Sequence, residues 1–157
     1  MCSSDLLTLA SLLPRESSSK ETDAALLSII GYPAFAISDP QLVARTRNKI
    51  VEKLEGKYGC KRFLRDGHQT VLEDTTRLHY EPEELLKFEG IECEWPLFFT
   101  YLYLDALFAG DNPQIEKYRG LLAGVLVERD GVQLLPELYY VPADKIAAER
   151  ADRKSVV

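Results

Sequence analysis

The stretch PLFFTYLYLDALFAG at 96–110 is apolar on nearly every side of a helix, with Asp105 as its one charge. A helix without a polar face must be enclosed by other elements. It falls short of the about 20 residues that cross a bilayer, so it reads as a buried core helix. The rest of the chain must supply the layer around it.

The neighbouring segments carry helical signals of their own. Asp23 stands in an N-cap position before AALLSII, and Pro33 closes that stretch. Asp39–Pro40 opens the next helix, with Asp as cap and Pro at the first helical position. Leu42, Val43, Thr46, Ile50, Val51 and Leu54 then mark one face, Arg45, Arg47, Lys49 and Lys53 fill much of the rest, and Gly56 ends it. Asn112–Pro113 caps a further helix whose apolar face is Ile115, Tyr118, Leu122, Val125 and Leu126. Short helices are expected at 81–89 and 142–150. Between them, 57–80 has no sustained period, and GVQLLPELYYVP reads as irregular or partly extended. An irregular run of that length in a compact fold is usually functional. Strand alternation is nearly absent and no repeat of fixed period is visible, so the expected class is all-α.

Composition excludes several functions. Nineteen Lys and Arg against 25 Asp and Glu leave a net charge of −6. A nucleic-acid or anionic-membrane binder needs basic surface, so neither is expected as a partner. The three cysteines form no CxxC or CxxH pattern and no disulfide framework. No transmembrane run and no signal-peptide pattern is present. The ends, MCSSDL and DRKSVV, do not continue the patterns beside them. Both back-translate readily into the strands of a common sequencing-library adapter. Residues 1–6 and 152–157 are therefore read as adapter-derived, with 7–151 as the natural segment; ordinary tails are the alternative.

Searches for GxGxxG, P-loop, HExxH and GxSxG motifs find nothing. His68 and His79 lack partners at metal-ligand spacing and read as loop residues, so no metal site and no cofactor is expected. The basic run at 45–53 reads as a solvated helix face. Two stretches stand out: Arg62–Phe63–Leu64–Arg65–Asp66–Gly67 with Glu92, Glu94 and Trp95, and Leu134–Leu135–Pro136–Glu137–Leu138–Tyr139–Tyr140. Charged groups that bond hydroxyls, beside rings that stack on a pyranose, are what a sugar site needs. A partly desolvated carboxylate can also serve as acid or base. The plainer alternative is that Glu92, Glu94 and Glu137 cap helices or pair with the arginines.

The runs KYGCKRFLRDGHQT, LHYEPEELLKFEGIECEWPLFFTYLYLDALFAGD and LLPELYYVPADK resemble the N-terminal region of the phosphorylase b kinase regulatory subunits, α more than β. That region is similar to glycoside hydrolase family 15. The resemblance covers nearly all of 7–151. It implies an (α/α)6 barrel, here incomplete, with a loop-built site at one end and 96–110 as an inner helix. It implies an α-glucan such as glycogen, starch or a maltooligosaccharide as ligand, protein partners for the longer chain, and a cytoplasmic location. Hydrolysis in that family is inverting, by two carboxylates roughly 6.5–9.5 Å apart. Glu137 falls where the family places its general base. Arg62 matches the arginine that contacts the sugar, and Asp66 an acidic residue of the same turn. Glu92, Glu94 and Trp95 fall in a loop facing the site. The family's general acid lies upstream of the DAALL helix and has no counterpart in this chain. ECEWP and LLPEL both depart from the hydrolase pattern, as in the kinase subunits, where the domain is treated as regulatory.

Three readings follow: part of an inverting glucan hydrolase, a non-catalytic carbohydrate-binding or regulatory domain of glycogen metabolism, and a helical scaffold without a sugar site. On the first two readings Arg62, Glu137 and at least one of Glu92 and Glu94 are expected to point into a shared concave surface. An open ring should also expose apolar helix surface and make the isolated chain aggregation-prone.

Overall fold

The computed structural model describes residues 3–15 and 21–154. It is predominantly helical: α1 (Ser3–Leu12), α2 (Leu27–Ile30), α3 (Pro40–Leu54), α4 (Leu97–Ala109), α5 (Asn112–Val125) and α6 (Ile146–Lys154). The one sheet among the described residues is a hairpin of β1 (Val127–Arg129) and β2 (Val132–Leu134). α1 runs across the expected boundary at residue 6, and α6 across that at 151. The helices form an open, all-α arrangement rather than a closed ring.

The helix starts follow from their caps. The Asp23 carboxylate accepts from Ala25 N at 2.8 Å and opens a 3-10 turn (Ala24–Leu26) that leads into α2. The Asp39 carboxylate accepts from Gln41 N and Leu42 N, with Pro40 at the first helical position. These caps satisfy N–H groups that a helix start leaves without partners. α3 buries Leu42, Thr46, Ile50 and Leu54, one stripe at helical spacing, while Val43 and Val51 are half-buried. α5 starts one residue earlier than the Asn112–Pro113 signal suggests: Asp111 is the cap, accepting from Gln114 N at 3.2 Å. The 81–89 segment forms a 3-10 turn (Glu84–Phe88) instead of an α-helix.

α4 lies in the middle, along α5 on one side and against α2 on the other. Phe98, Phe99, Leu102 and Ala106 form its buried face, with Ile50, Leu54, Leu27 and Tyr118 in the same core. Its only charge, Asp105, pairs with Arg47 of α3. Tyr118 anchors α5 to the end of α3 by donating to Glu55 Oε2 at 2.7 Å. Burial, then Glu55, pushes its phenol pKa up. Enclosure of α4 is one-sided, against the all-round burial its composition suggests: Leu97, Leu107 and Phe108 stand exposed.

The hairpin is the other departure from the all-helical reading. Asp130 and Gly131 take the left-handed turn conformation, with φ of 54° and 74°, and Val127 faces Leu134 across it. An Asp-Gly pair between apolar positions is a known hairpin signal, present in VERDGVQL.

Candidate functional site

One end of the helical layer carries the long loops. The 57–96 connection joins the C-terminus of α3 to the N-terminus of α4, and the 126–145 connection leaves the C-terminus of α5. Short antiparallel bridges tie them together. Cys60 pairs with Glu55 and with Trp95, and Glu94 pairs with Tyr139. Cys60 N donates to Trp95 O at 3.2 Å and Trp95 N returns to Cys60 O at 2.8 Å. The two stretches singled out from sequence are thus joined by backbone, through Glu94 and Tyr139. A further bond, Ala24 N to Arg62 O at 2.7 Å, ties the start of the 3-10 turn to the 62–67 turn.

Arg62 and Asp66 form a two-pronged pair, Nε to Oδ2 at 2.5 Å and Nη2 to Oδ1 at 2.8 Å. Asp66, which is buried, also accepts from His68 N at 3.1 Å. The hydrogen bond to Asp66 raises the Arg62 pKa further, against the opposing effect of burial. The guanidinium lies 5.2 Å from the centre of the Trp95 ring, and the His68 ring is parallel to that indole at 6.1 Å. Arg62, Asp66, His68 and Trp95 therefore form one contiguous group of cation, carboxylate and ring faces.

Glu92 has a side chain 0% exposed, paired with Lys61 Nζ at 2.9 Å. It also accepts from Arg65 N at 2.8 Å and Gly90 N at 3.0 Å. A carboxylate so placed meets the need of a buried charge for a partner and hydrogen bonds. Glu94 is buried too, and accepts from Tyr58 N at 2.7 Å. Burial pushes the thiol of Cys93, between them, up to about 11.

Two concavities open at this end. The larger, about 1300 Å³, is lined by Thr22, Lys61, Asp66, His68, Tyr80 and Glu92 among others. The smaller, about 480 Å³, is lined by Gln69, Val71, Glu137, Leu138 and Tyr140. Glu137 is exposed and lines the smaller cavity with Gln69 and Val71, apart from the larger one that Asp66 and His68 line. The single concavity expected for Arg62, Glu137 and Glu92 or Glu94 is not formed in this segment: Asp66 and Glu92 line the larger cavity, Glu137 the smaller, and Arg62, Glu94 and Trp95 neither. Sequence reasoning missed Lys61, the stacked Tyr58–Tyr139 pair and the approach of Gln69 and Val71 to Glu137. The aromatic content of KYGC and LYYVP is the one signal that pointed to the tyrosines. Among the described residues no group of three His, Cys, Asp or Glu side chains is arranged to hold a metal. No helix among them is long and apolar enough to cross a membrane.

Layered helices with a loop-built, carboxylate- and ring-bearing site at one end are the architecture of a partial helical-hairpin toroid. No protein-family model matches the chain. Individual proteins do. The chain is 56% identical over 149 residues to the phosphorylase b kinase regulatory subunit alpha, liver isoform, of Takifugu rubripes, covering 94% of this chain and 12% of that protein. It is 57% identical over 142 residues to the liver isoform of Mus musculus, covering 90% and 12%. It is 57% identical over 144 residues to the probable alpha subunit of Caenorhabditis elegans, covering 91% and 12%. The chain is thus homologous to one segment of the phosphorylase b kinase regulatory alpha subunits, and spans about an eighth of their length.

Proposed function

We propose that this segment forms one wall of an α-glucan-binding surface in a regulatory, non-catalytic domain of glycogen metabolism. The supporting observation is the contrast among its carboxylates. Of the four carboxylates singled out from sequence, Asp66, Glu92 and Glu94 are buried and bonded within the protein, and Glu137 is exposed, beside Gln69 and Tyr140. An exposed carboxylate flanked by an amide and a ring suits hydroxyl recognition. Inverting hydrolysis needs a second carboxylate on the opposite face of the sugar, and among the described residues Glu137 is the single carboxylate lining its cavity. Homology to subunits named as regulatory favours the same reading.

In this reading Glu137 accepts hydrogen bonds from sugar hydroxyls. Arg62 and Trp95, outside the Glu137 cavity, form a second cationic and aromatic contact for a longer glucan, and Asp66 keeps the guanidinium plane fixed. The remainder of the longer protein supplies the opposite wall and its protein partners. Calorimetry with maltoheptaose, on a chain as long as the relatives, tests this. Glu137→Gln is expected to weaken binding by about tenfold, the loss of one charged hydrogen bond, with no glucose released by either form. Glucose release abolished by Glu137→Gln would instead establish the hydrolase reading. Absence of binding would leave only a scaffold.

A further inference from the structure

We infer that Glu94 is a positioning residue: it holds the Glu137 segment in place by gripping Tyr139 with its backbone and Tyr58 with its carboxylate. This deepens the proposed glucan site and rests on Glu137 being a ligand contact.

The 135–141 segment follows the hairpin and belongs to no helix or named strand. Its fixed point is Tyr139, two residues beyond Glu137. Tyr139 N donates to Glu94 O at 2.8 Å, and Glu94 N donates to Tyr139 O at 2.9 Å. The Tyr139 hydroxyl donates to Val125 O at 2.8 Å, at the end of α5. Its ring stacks on Tyr58, with centroids 4.8 Å apart and planes 23° apart.

Tyr58 needs an anchor of its own, because it sits in the exposed turn after α3. Glu94 supplies it: Oε2 accepts the Tyr58 N–H at 2.7 Å. One residue therefore fixes both members of the stacked pair. Gly56 makes room for this. A Cβ there would lie 2.0 Å from Glu94 Oε1 and 2.2 Å from Cδ. The carboxylate occupies the space a side chain would take, and its own burial leaves it little freedom to move aside. A buried carboxylate is stabilised when backbone N–H groups donate to it.

Glu94 as a direct sugar ligand and Glu94 as an anchor make opposite predictions for the amide substitution. Glutamine keeps an oxygen that accepts the Tyr58 N–H but removes the charge. The test uses the full chain and two readouts, maltoheptaose affinity and hydrogen exchange of the 134–141 amides. Glu94→Ala is expected to weaken binding and speed exchange there by about tenfold each. Glu94→Gln should restore both to within about twofold of the parent. Gly56→Ala, which drives the carboxylate away from Tyr58, should behave like Glu94→Ala. Equal losses in the Gln and Ala variants would overturn the proposal and make Glu94 a ligand contact. Unchanged exchange in Glu94→Ala would also overturn it. If Glu94→Ala does not fold, Tyr58→Leu serves, since it keeps the Tyr58 N–H bond to Glu94 and removes the ring that stacks on Tyr139; faster exchange at 134–141 supports the anchor and unchanged exchange refutes it. Glu137→Gln separates the two levels: if that change leaves affinity intact, the glucan reading fails, while exchange still reads the anchor without any ligand.

Discussion

At Gly59 the chain passes so close to its neighbour that a Cβ would lie 2.3 Å from the Trp95 carbonyl carbon and 2.5 Å from its oxygen. Backbone cannot swing aside as a side-chain tip can, and Cys60 locks this approach by exchanging both hydrogen bonds with Trp95. Gly59→Ala is therefore expected to destabilise the fold by about 3 kcal/mol, the upper end of ordinary overpacking. Gly120, inside α5, has nothing within 4 Å of its missing Cβ. Gly120→Ala should accordingly stabilise by about 0.5–1 kcal/mol, through helix propensity and a less flexible unfolded chain. Urea midpoints of the two variants check the pair; equal effects would contradict the geometry. No local feature of sequence separates these two glycines, because only the fold brings Trp95 to one of them.

At the scale of an element, the 74–84 segment looks featureless in sequence yet is well bonded. Asp74 accepts from Thr76 N and Oγ1, Arg77 forms a two-pronged pair with Glu84, and the Tyr80 ring lies 4.6 Å below the guanidinium. The hydrogen bonds from Arg77, then that from Glu81 N, lower the Glu84 carboxyl from 4.5 to about 2. A carboxylate held below its unfolded value stabilises the fold fully above that value, and the contribution is lost as pH falls through the folded one. The turn should thus keep this support at neutral pH and lose it between about pH 4.5 and 2. The groups are exposed, so salt weakens the effect. An NMR titration of the Glu84 carboxyl should show a midpoint that Arg77→Ala moves up toward 4.5; an unmoved midpoint would assign the shift elsewhere.

For the molecule as a whole, the notable feature is apolar surface left uncovered. Tyr32, Phe35 and Phe108 form an exposed aromatic cluster, with Phe35 and Phe108 edge to face at 5.1 Å. Leu97 and Leu107 of α4 and Val127, Val132 and Leu134 of the hairpin are also exposed. Exposed patches of this kind mark interaction surfaces or aggregation hazards. The isolated chain is expected to self-associate, with a concentration-dependent mass in sedimentation and a smaller mass for Phe108→Ser. A monomer of constant mass across concentrations would count against this.

The sequence by itself determined the elements whose cause is local. Asp23 and Asp39 cap because a short carboxylate reaches N–H groups two or three residues on, and the α3 stripe follows from helical spacing. It also marked RFLRDG, ECEWP and LLPELYY as the stretches that meet. It did not reveal the hairpin, whose Asp-Gly turn was overshadowed by the surrounding helical pattern. Nor could it rank the four carboxylates. Glu92 is enclosed by Lys61, Arg65 and Gly90, and Glu94 by Tyr58 and the chain at Gly56, while Glu137 is left exposed. Those outcomes depend on backbone pairings across some thirty-five to forty-five residues, Cys60 with Trp95 and Glu94 with Tyr139. Composition reports which groups can carry charge; burial, which only the tertiary packing decides, selects which of them meet solvent.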